Sequence, residues 1–138
     1  MSSVCLGIDF GLSRCGLAVG DEKDHYALPL ETVPTEDIIK FLKSFNEQQK
    51  VRLIILGSPR DVSGAETMMS KQIDKFKNLL EFNQFKVILF DEGTSTRRAM
   101  GEMRSLGIGS KKSKSKKDEV AAAIILQDYF NFIRSTRS

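Results

Sequence analysis

Three acidic positions could perform chemistry together. They are Asp9 at the end of one apolar run, Asp91-Glu92 at the end of another, and Asp118 near the C-terminus. Clustered carboxylates repel one another and raise each other's pKa, and a divalent cation removes that conflict. Mg²⁺ favours one or two carboxylates together with waters and phosphate oxygens. Two such ions about 4 Å apart can activate a water for phosphodiester cleavage. Zinc is disfavoured, because the chain has one histidine and no Cys/His cluster.

Each acidic position also has an ordinary structural explanation. Asp9 could pair with Arg14, because an unpaired buried carboxylate is costly. Asp91-Glu92 could simply be polar residues at a strand end, and Asp118 could be a helix N-cap. Their convergence at one place is what favours a metal site over these explanations.

The segment from Val4 to Gly20 is expected to position Asp9 and Arg14. Two apolar runs bounded by glycine flank the short connection Gly11-Leu12-Ser13. Such runs are typical of buried strands, and the connection is too short for a crossover. The pattern therefore predicts an antiparallel hairpin in which Asp9 ends the first strand and Arg14 opens the second.

Apolar periodicity predicts seven further elements. Pro29 indicates that the third strand lies at a sheet edge, and Thr35 is expected to cap the first helix. The elements are a strand over 26–33, a helix from 35 to about 49, a strand over 51–57, a helix over about 65–82, a strand over 86–90, a helix from the 93–96 cap to about 106, and a last helix opened by Asp118.

This order predicts an α/β fold, a single domain over residues 1–138. The sheet is expected to be five-stranded and mixed, with the first three strands antiparallel, the rest parallel, and helices on both faces. Right-handed crossovers place the first strand mid-sheet. Ligands of such sheets bind at the carboxyl ends of the strands. That edge should collect Asp9, Ser58 to Arg60 and Asp91-Glu92.

The basic residues are concentrated near the C-terminus. Residues 1–110 carry 14 Lys and Arg against 15 Asp and Glu, whereas residues 111–138 carry 7 against 3. Five lysines lie in one run, within a basic loop predicted over about 107–117. A like-charge run is most often a solvated loop, but beside a carboxylate site it could hold phosphates. The lysines are Lys111, Lys112, Lys114, Lys116 and Lys117.

Other features bear on the compartment. No apolar run approaches the roughly 20 residues that span a bilayer, and no secretory signal opens the chain, so no membrane partner is expected. Cys5 and Cys15 should not face each other across the hairpin, so a disulfide is not expected. A reduced, cytoplasmic setting fits this pattern.

Several motifs follow one another in order along nearly the whole chain. They are G-I-D-F-G at 7–11, R-C-G-L-A-V at 14–19, A-L-P-L-E-T at 27–32, L-G-S-P at 56–59, F-D-E at 90–92, T-S-T at 94–96, D-E-V-A-A at 118–122 and I-L-Q-D-Y at 125–129. With these motifs the chain resembles the YqgF (RuvX) family, described as Holliday-junction resolvases and as pre-16S rRNA nucleases with an RNase H-like three-layer fold.

The resemblance implies a metal-dependent endonuclease. Asp9, Glu92 and Asp118 would be the catalytic, metal-binding acids for Mg²⁺ or Mn²⁺, with Asp91 as a further ligand. The substrate would be structured nucleic acid, either a ribosomal RNA precursor or Holliday-junction DNA, and a ribosome precursor is a candidate partner. A monomer and a homodimer both remain open. Nucleic-acid contacts are expected from the five lysines and from Arg14, Arg60, Arg97 and Arg98.

Two alternatives stay open. Gly93-Thr94 stands where the family has Arg-Leu, so a cation is lost unless Arg97 or Arg98 replaces it. A non-catalytic nucleic-acid-binding or ribosome-associated module of the same fold is therefore the main alternative. A sugar-kinase or actin-like ATPase shares the D-x-G hairpin, but that fold needs two such domains.

Overall fold

The computed structural model describes residues 3–21, 23–58, 68–91 and 114–137. Five strands and three α-helices fall within these ranges, and a single 3₁₀ turn at Thr35–Asp37 precedes the first helix. In chain order the elements are β1 Val4–Asp9, β2 Arg14–Asp21, β3 Tyr26–Pro34, α1 Ile38–Gln48, β4 Val51–Ser58, α2 Met68–Phe82, β5 Val87–Asp91 and α3 Lys114–Arg137.

The strands form one sheet in the order β3-β2-β1-β4-β5. Strand β2 is antiparallel to both β1 and β3, and β4 and β5 continue the sheet in parallel with β1. Strand β3, which contains Pro29, lies at the edge, where a missing N–H group is tolerated. The predicted mixed sheet, its strand order and the central place of β1 are confirmed.

The sheet separates two apolar cores. Leu6 and Ile8 of β1 point to one face and pack with residues of α1 and α2. Cys5 points to the other face and packs with residues of α3. Helices therefore cover both faces, as predicted. Cys5 and Cys15 belong to opposite cores and both are free thiols, so the expectation of no disulfide is confirmed.

Small residues line the face of the hairpin that meets α3. Gly7 of β1 pairs with Ala18 of β2, and Cys5 pairs with Gly20. A Cβ atom on Gly7 would lie 2.8 Å from the carbonyl oxygen of Ala122, and one on Gly20 would lie 2.6 Å from the ring of Phe130. Glycine inside a strand lets another element approach closely. The helix therefore packs directly onto the backbone of the hairpin.

The contacts of α3 also fix its direction. Asp118, Ala122, Leu126 and Phe130 recur every four residues, so they share one face of the helix. Asp118 packs on Gly16 at the start of β2, and Phe130 packs on Gly20 near its end. The helix therefore runs along β2, and Asp118 lies at the end of the sheet where β1 finishes.

Gln127 fastens α3 to the edge strand. Its side-chain oxygen accepts a hydrogen bond from the backbone N–H of Ala27 at 2.9 Å. Its side-chain N–H₂ group donates to the carbonyl oxygen of His25, also at 2.9 Å. Both bonds satisfy backbone groups that would otherwise lie half-buried without a partner. They hold the start of β3 against the helix.

Two local predictions are wrong. The last helix begins at Lys114, so Asp118 lies in its second turn and is not an N-cap. Lysine is a good helix former, and the apolar packing of α3 carries the helix into the basic run. Thr35 makes no side-chain cap at α1, because its hydroxyl is used at the hairpin. The predicted helix over 93–106 lies outside the described residues. None of the described helices is long and apolar enough to cross a membrane.

The close approach of α3 predicts a stability cost for Gly7→Ala. The new methyl group would meet Ala122 and Leu126 at distances that real Cβ atoms essentially never show. Overpacking of this kind costs about 2 kcal/mol. The free energy of unfolding, measured by urea denaturation, should fall by about that amount.

Ser44→Thr is the matched control, because it adds one methyl group at an exposed position of α1. Its effect should stay within about 0.5 kcal/mol. A Gly7→Ala protein as stable as the control would contradict the packing described here.

Candidate active site

The fold brings Asp9 and Asp118 together. Asp9 ends β1 and pairs with Gly16 of β2, and residues directly opposite in an antiparallel pair point to the same face. Gly16 has no side chain, and the backbone of Asp118 fills that space. A Cβ atom on Gly16 would lie 2.9 Å from the Cβ atom of Asp118 and would also clash with its carbonyl group. Two half-buried carboxylates therefore share one face at the end of the central strand.

Arg14 forms an ion pair with Asp118. Its Nε atom lies 2.9 Å from Oδ2 of the carboxylate. The Arg14 side chain is 48% exposed and that of Asp118 is 27% exposed, so solvent screens the pair and its contribution is about 0.2–1 kcal/mol. The pair forms because Asp118 lies over Gly16, two residues along the same face of β2 from Arg14. The expected pairing of Arg14 with Asp9 stays a prediction.

The residue after Asp118 is tied to the edge strand. The hydroxyl of Thr32 donates to Oε1 of Glu119 at 3.3 Å. Thr32 pairs with Gly16 across β2 and β3, so this bond lies in the same row as Asp9 and Asp118. It limits rotation of the second turn of α3, the turn that carries Asp118.

Thr35 holds the tip of the hairpin. Its hydroxyl donates to the carbonyl oxygen of Gly11 at 2.7 Å, and its backbone N–H donates to the carbonyl oxygen of Ser13 at 3.0 Å. The Sγ atom of Cys15 lies 3.5 Å from the same hydroxyl oxygen. Either atom can be the donor in that contact. The turn between Asp9 and Arg14 is thus fixed from outside the hairpin.

Burial raises the pKa of the Cys15 thiol above its ordinary value of 9.0. The hydrogen bonds with Thr35 and Gly11 act in the opposite direction, and the negative charges of Asp9 and Asp118 raise the pKa further. Both carboxylates therefore act on the same buried group. The thiol therefore remains protonated at neutral pH.

The remaining predicted ligand on a described strand is Asp91. It is the last residue of β5 and pairs with Ser58 of β4, while Leu56 of β4 pairs with Ile8 of β1. The carboxyl ends of the three strands therefore lie at one edge. Two strand spacings put the backbone of Asp91 on the order of 10 Å from that of Asp9.

Most of the other predicted site residues cannot be placed. Within the described ranges no three acidic, His or Cys side chains form a group that could hold a metal ion. The following lie outside the described residues: Glu92, Arg60, Arg97, Arg98, Lys111 and Lys112. Lys114, Lys116 and Lys117 belong to the first turn of α3 by their backbone, but their side chains, like that of Asp91, also lie outside what is described.

The residues that position the acids are not predicted from the sequence. Gly16, Thr32 and Glu119 enter there only as parts of motifs. A usable signal existed for Gly16, because a glycine in the interior of a strand marks close approach by another backbone. No comparable local signal identifies the bond between Thr32 and Glu119, since 87 residues separate them.

A cavity of about 390 Å³ lies between β3 and α1. Glu31, Val33, Lys40 and Phe41 contribute to its lining. Val33 packs into the core on the α1 side of the sheet, whereas Asp118 meets the α3 side. The cavity is therefore separate from the two carboxylates.

Comparisons with known proteins point to one family. A sequence model of the family described as RuvX, Holliday junction resolvase, matches residues 3–132. A relative from Mycoplasmopsis synoviae is 40% identical over 134 residues, covering 94% of this chain and 98% of the relative. A relative from Flavobacterium johnsoniae is 34% identical over 132 residues, covering 91% and 94%. Both carry the provisional name pre-16S rRNA nuclease.

A solved structure agrees with the fold. RuvC from T. thermophilus, in complex with a Holliday junction substrate, superimposes with a TM-score of 0.58 over 97% of each chain. The two sequences are 15% identical, so this likeness concerns the fold alone. It matches the RNase H-like architecture expected from the motifs.

The raised pKa of Cys15 predicts a loss of stability in alkali. At pH values above about 9 the unfolded chain has released the thiol proton, while the folded protein still holds it. The folded state then binds more protons, so the free energy of unfolding falls as pH rises. The slope approaches about 1.4 kcal/mol per pH unit.

Urea denaturation of wild type and Cys15→Ala between pH 7 and 10.5 isolates this effect, because all other groups cancel in the difference. The stability advantage of wild type should be constant below pH 8 and shrink above pH 9. An advantage that stays constant or grows with pH would rule out a raised pKa.

Proposed function

The chain belongs to the RuvX family, and from that membership we propose that it is a metal-dependent nuclease acting on structured nucleic acid. The observation that carries the proposal is that Asp9 pairs with Gly16 while Asp118 packs on the same glycine, which puts both acids on one face at the carboxyl end of the central strand. Ligand sites of α/β sheets lie at this edge. Two carboxylates at such a place repel each other, and a divalent cation relieves that repulsion.

The donor set fits a hard divalent cation. Asp9 and Asp118 offer carboxylate oxygens, which suit Mg²⁺ or Mn²⁺. Glu92 joins them on the strength of the family motif, with Asp91 as a further candidate. When bound, such an ion makes water a stronger nucleophile and stabilises charge on the phosphate. The chain's own part is to hold the carboxylates at fixed positions.

Three contacts supply that fixed geometry. Gly16 sets how closely Asp118 approaches β1, the bond between Thr32 and Glu119 sets the orientation of the helix turn, and Thr35 fixes the hairpin tip. Preorganised ligands bind a metal without first losing conformational freedom. The site therefore combines rigid elements from four parts of the chain.

Basic residues are proposed to hold the nucleic-acid backbone. The first turn of α3 contains Lys114, Lys116 and Lys117 and leads into Asp118. Lysines that precede the carboxylate on the same helix would meet phosphates next to the scissile bond. Because such contacts release counterions, affinity should fall steeply with salt. The remaining proposed contacts are Arg14, Arg60, Arg97, Arg98, Lys111 and Lys112.

We favour a ribosomal RNA precursor as the substrate. Relatives that are 34–40% identical carry the pre-16S rRNA nuclease name, whereas the junction-bound structure shares the fold at 15% identity. Holliday-junction DNA is the second candidate, and symmetric cutting of a junction would call for a homodimer. The ribosome precursor is then the proposed partner, and two free thiols suit the cytoplasm.

Asp9→Asn is expected to abolish cleavage. The substitution keeps the size of the side chain and removes the charge that holds the cation, so the rate should drop by more than about a hundredfold. The assay compares a pre-16S rRNA fragment with a four-way DNA junction, in Mg²⁺ and in Mn²⁺. Nucleic-acid binding without metal should be largely retained.

Asp74→Asn is the matched control, because Asp74 is exposed on α2. It should cut at the wild-type rate. An Asp9→Asn protein that cuts as fast as this control would contradict the proposed mechanism. Wild-type protein that binds both substrates and cuts neither would favour the non-catalytic module.

A further inference from the structure

Arg14 places a cation on a carboxylate that the proposed metal site needs. We propose that Arg14 competes with the metal: its guanidinium occupies Asp118 in the metal-free protein and must give up that carboxylate when Mg²⁺ or Mn²⁺ binds. The inference rests on the proposed function and adds a control of metal affinity to it. It starts from the 2.9 Å contact between Nε of Arg14 and Oδ2 of Asp118.

Asp118 does not depend on Arg14 for its position. Its backbone is packed against Gly16, and the next residue, Glu119, accepts a hydrogen bond from Thr32. These contacts fix the helix turn that carries the carboxylate. Arg14 is therefore not needed to position Asp118. Its main effect is on the charge of the site.

Arg14 also lies on the side of the sheet that would receive the cation. Alternate residues of a strand share a face, so Arg14 and Gly16 of β2 point toward α3. Asp9 pairs with Gly16 and therefore points the same way. The guanidinium and the two carboxylates thus meet at one end of the hairpin, with positive charge where the metal would enter.

The strength of the pair suits displacement. An ion pair in which one partner is about half exposed contributes little to stability, so a divalent ion can replace it. Arginine stays charged at every accessible pH, so the competition is present in all conditions. After it gives up the carboxylate, the nearby guanidinium still repels a divalent ion in water-like surroundings, enough to weaken metal binding by a factor of about ten. Use of the second carboxylate oxygen does not remove this repulsion.

The test measures Mn²⁺ binding to the full chain without nucleic acid, by isothermal titration calorimetry at low salt. Arg14→Gln should bind Mn²⁺ about five- to tenfold more tightly than wild type. Arg14→Lys keeps the charge and should stay within about threefold of wild type. Circular dichroism on the same samples verifies that each variant is folded.

Lys50→Gln is the control for net charge. Lys50 is exposed, and its carbonyl oxygen accepts the N–H of Val4, so it lies beside the start of β1 and far from Asp9. Its loss should change Mn²⁺ affinity by less than about twofold. An equal gain in Lys50→Gln and Arg14→Gln would overturn the proposal, because the effect would then be general.

The outcomes separate this inference from the proposed function. Unchanged or weaker Mn²⁺ binding in folded Arg14→Gln overturns the competition and leaves the nuclease proposal standing. The metal site itself is overturned if wild type shows no Mn²⁺ binding that is lost in Asp9→Asn. The competition is then overturned with it. Tighter binding in Arg14→Gln alone supports both.

Discussion

The site depends on how closely α3 lies against the hairpin of β1 and β2. Gly7, Gly16 and Gly20 leave no room for a side chain under the helix. The helix can therefore rest on the backbone of the strands, and its second turn comes level with the end of β1. Without that close approach, Asp118 would lie farther from Asp9 by the thickness of a layer of side chains. Packing of small residues, which is a steric constraint, thus determines where the charges are.

The close packing also brings two negative charges and one positive charge together. Asp9 and Asp118 share a face, and Arg14 neutralises part of their charge through Asp118. Burial, and to a smaller extent the same carboxylates, raises the pKa of the Cys15 thiol on the other side of the hairpin. A hard cation would relieve the remaining repulsion.

The sequence was sufficient for the sheet and for the placement of Asp9 at the end of its first strand. Hairpin spacing, the branched apolar run of β4 and the edge proline Pro29 lead to the observed strand order, because each depends on local chain properties. The start of α3 was not predictable, since the helix extends into lysines through the packing of residues far along it. The ion pair of Arg14 with Asp118 and the bond between Thr32 and Glu119 could not be predicted from the sequence either. They depend on contacts across 87 or more residues, which only the folded register defines.

Mn²⁺ binding to Gly16→Ala tests whether the close packing of α3 holds the two carboxylates in place. The new methyl group would clash with the backbone of Asp118, so the second turn of α3 must move away from Asp9. The account predicts a protein that is folded by circular dichroism and binds Mn²⁺ at least about tenfold more weakly than wild type in calorimetry. A folded Gly16→Ala protein with wild-type Mn²⁺ affinity would contradict it, because the two carboxylates would not then need the close packing of α3.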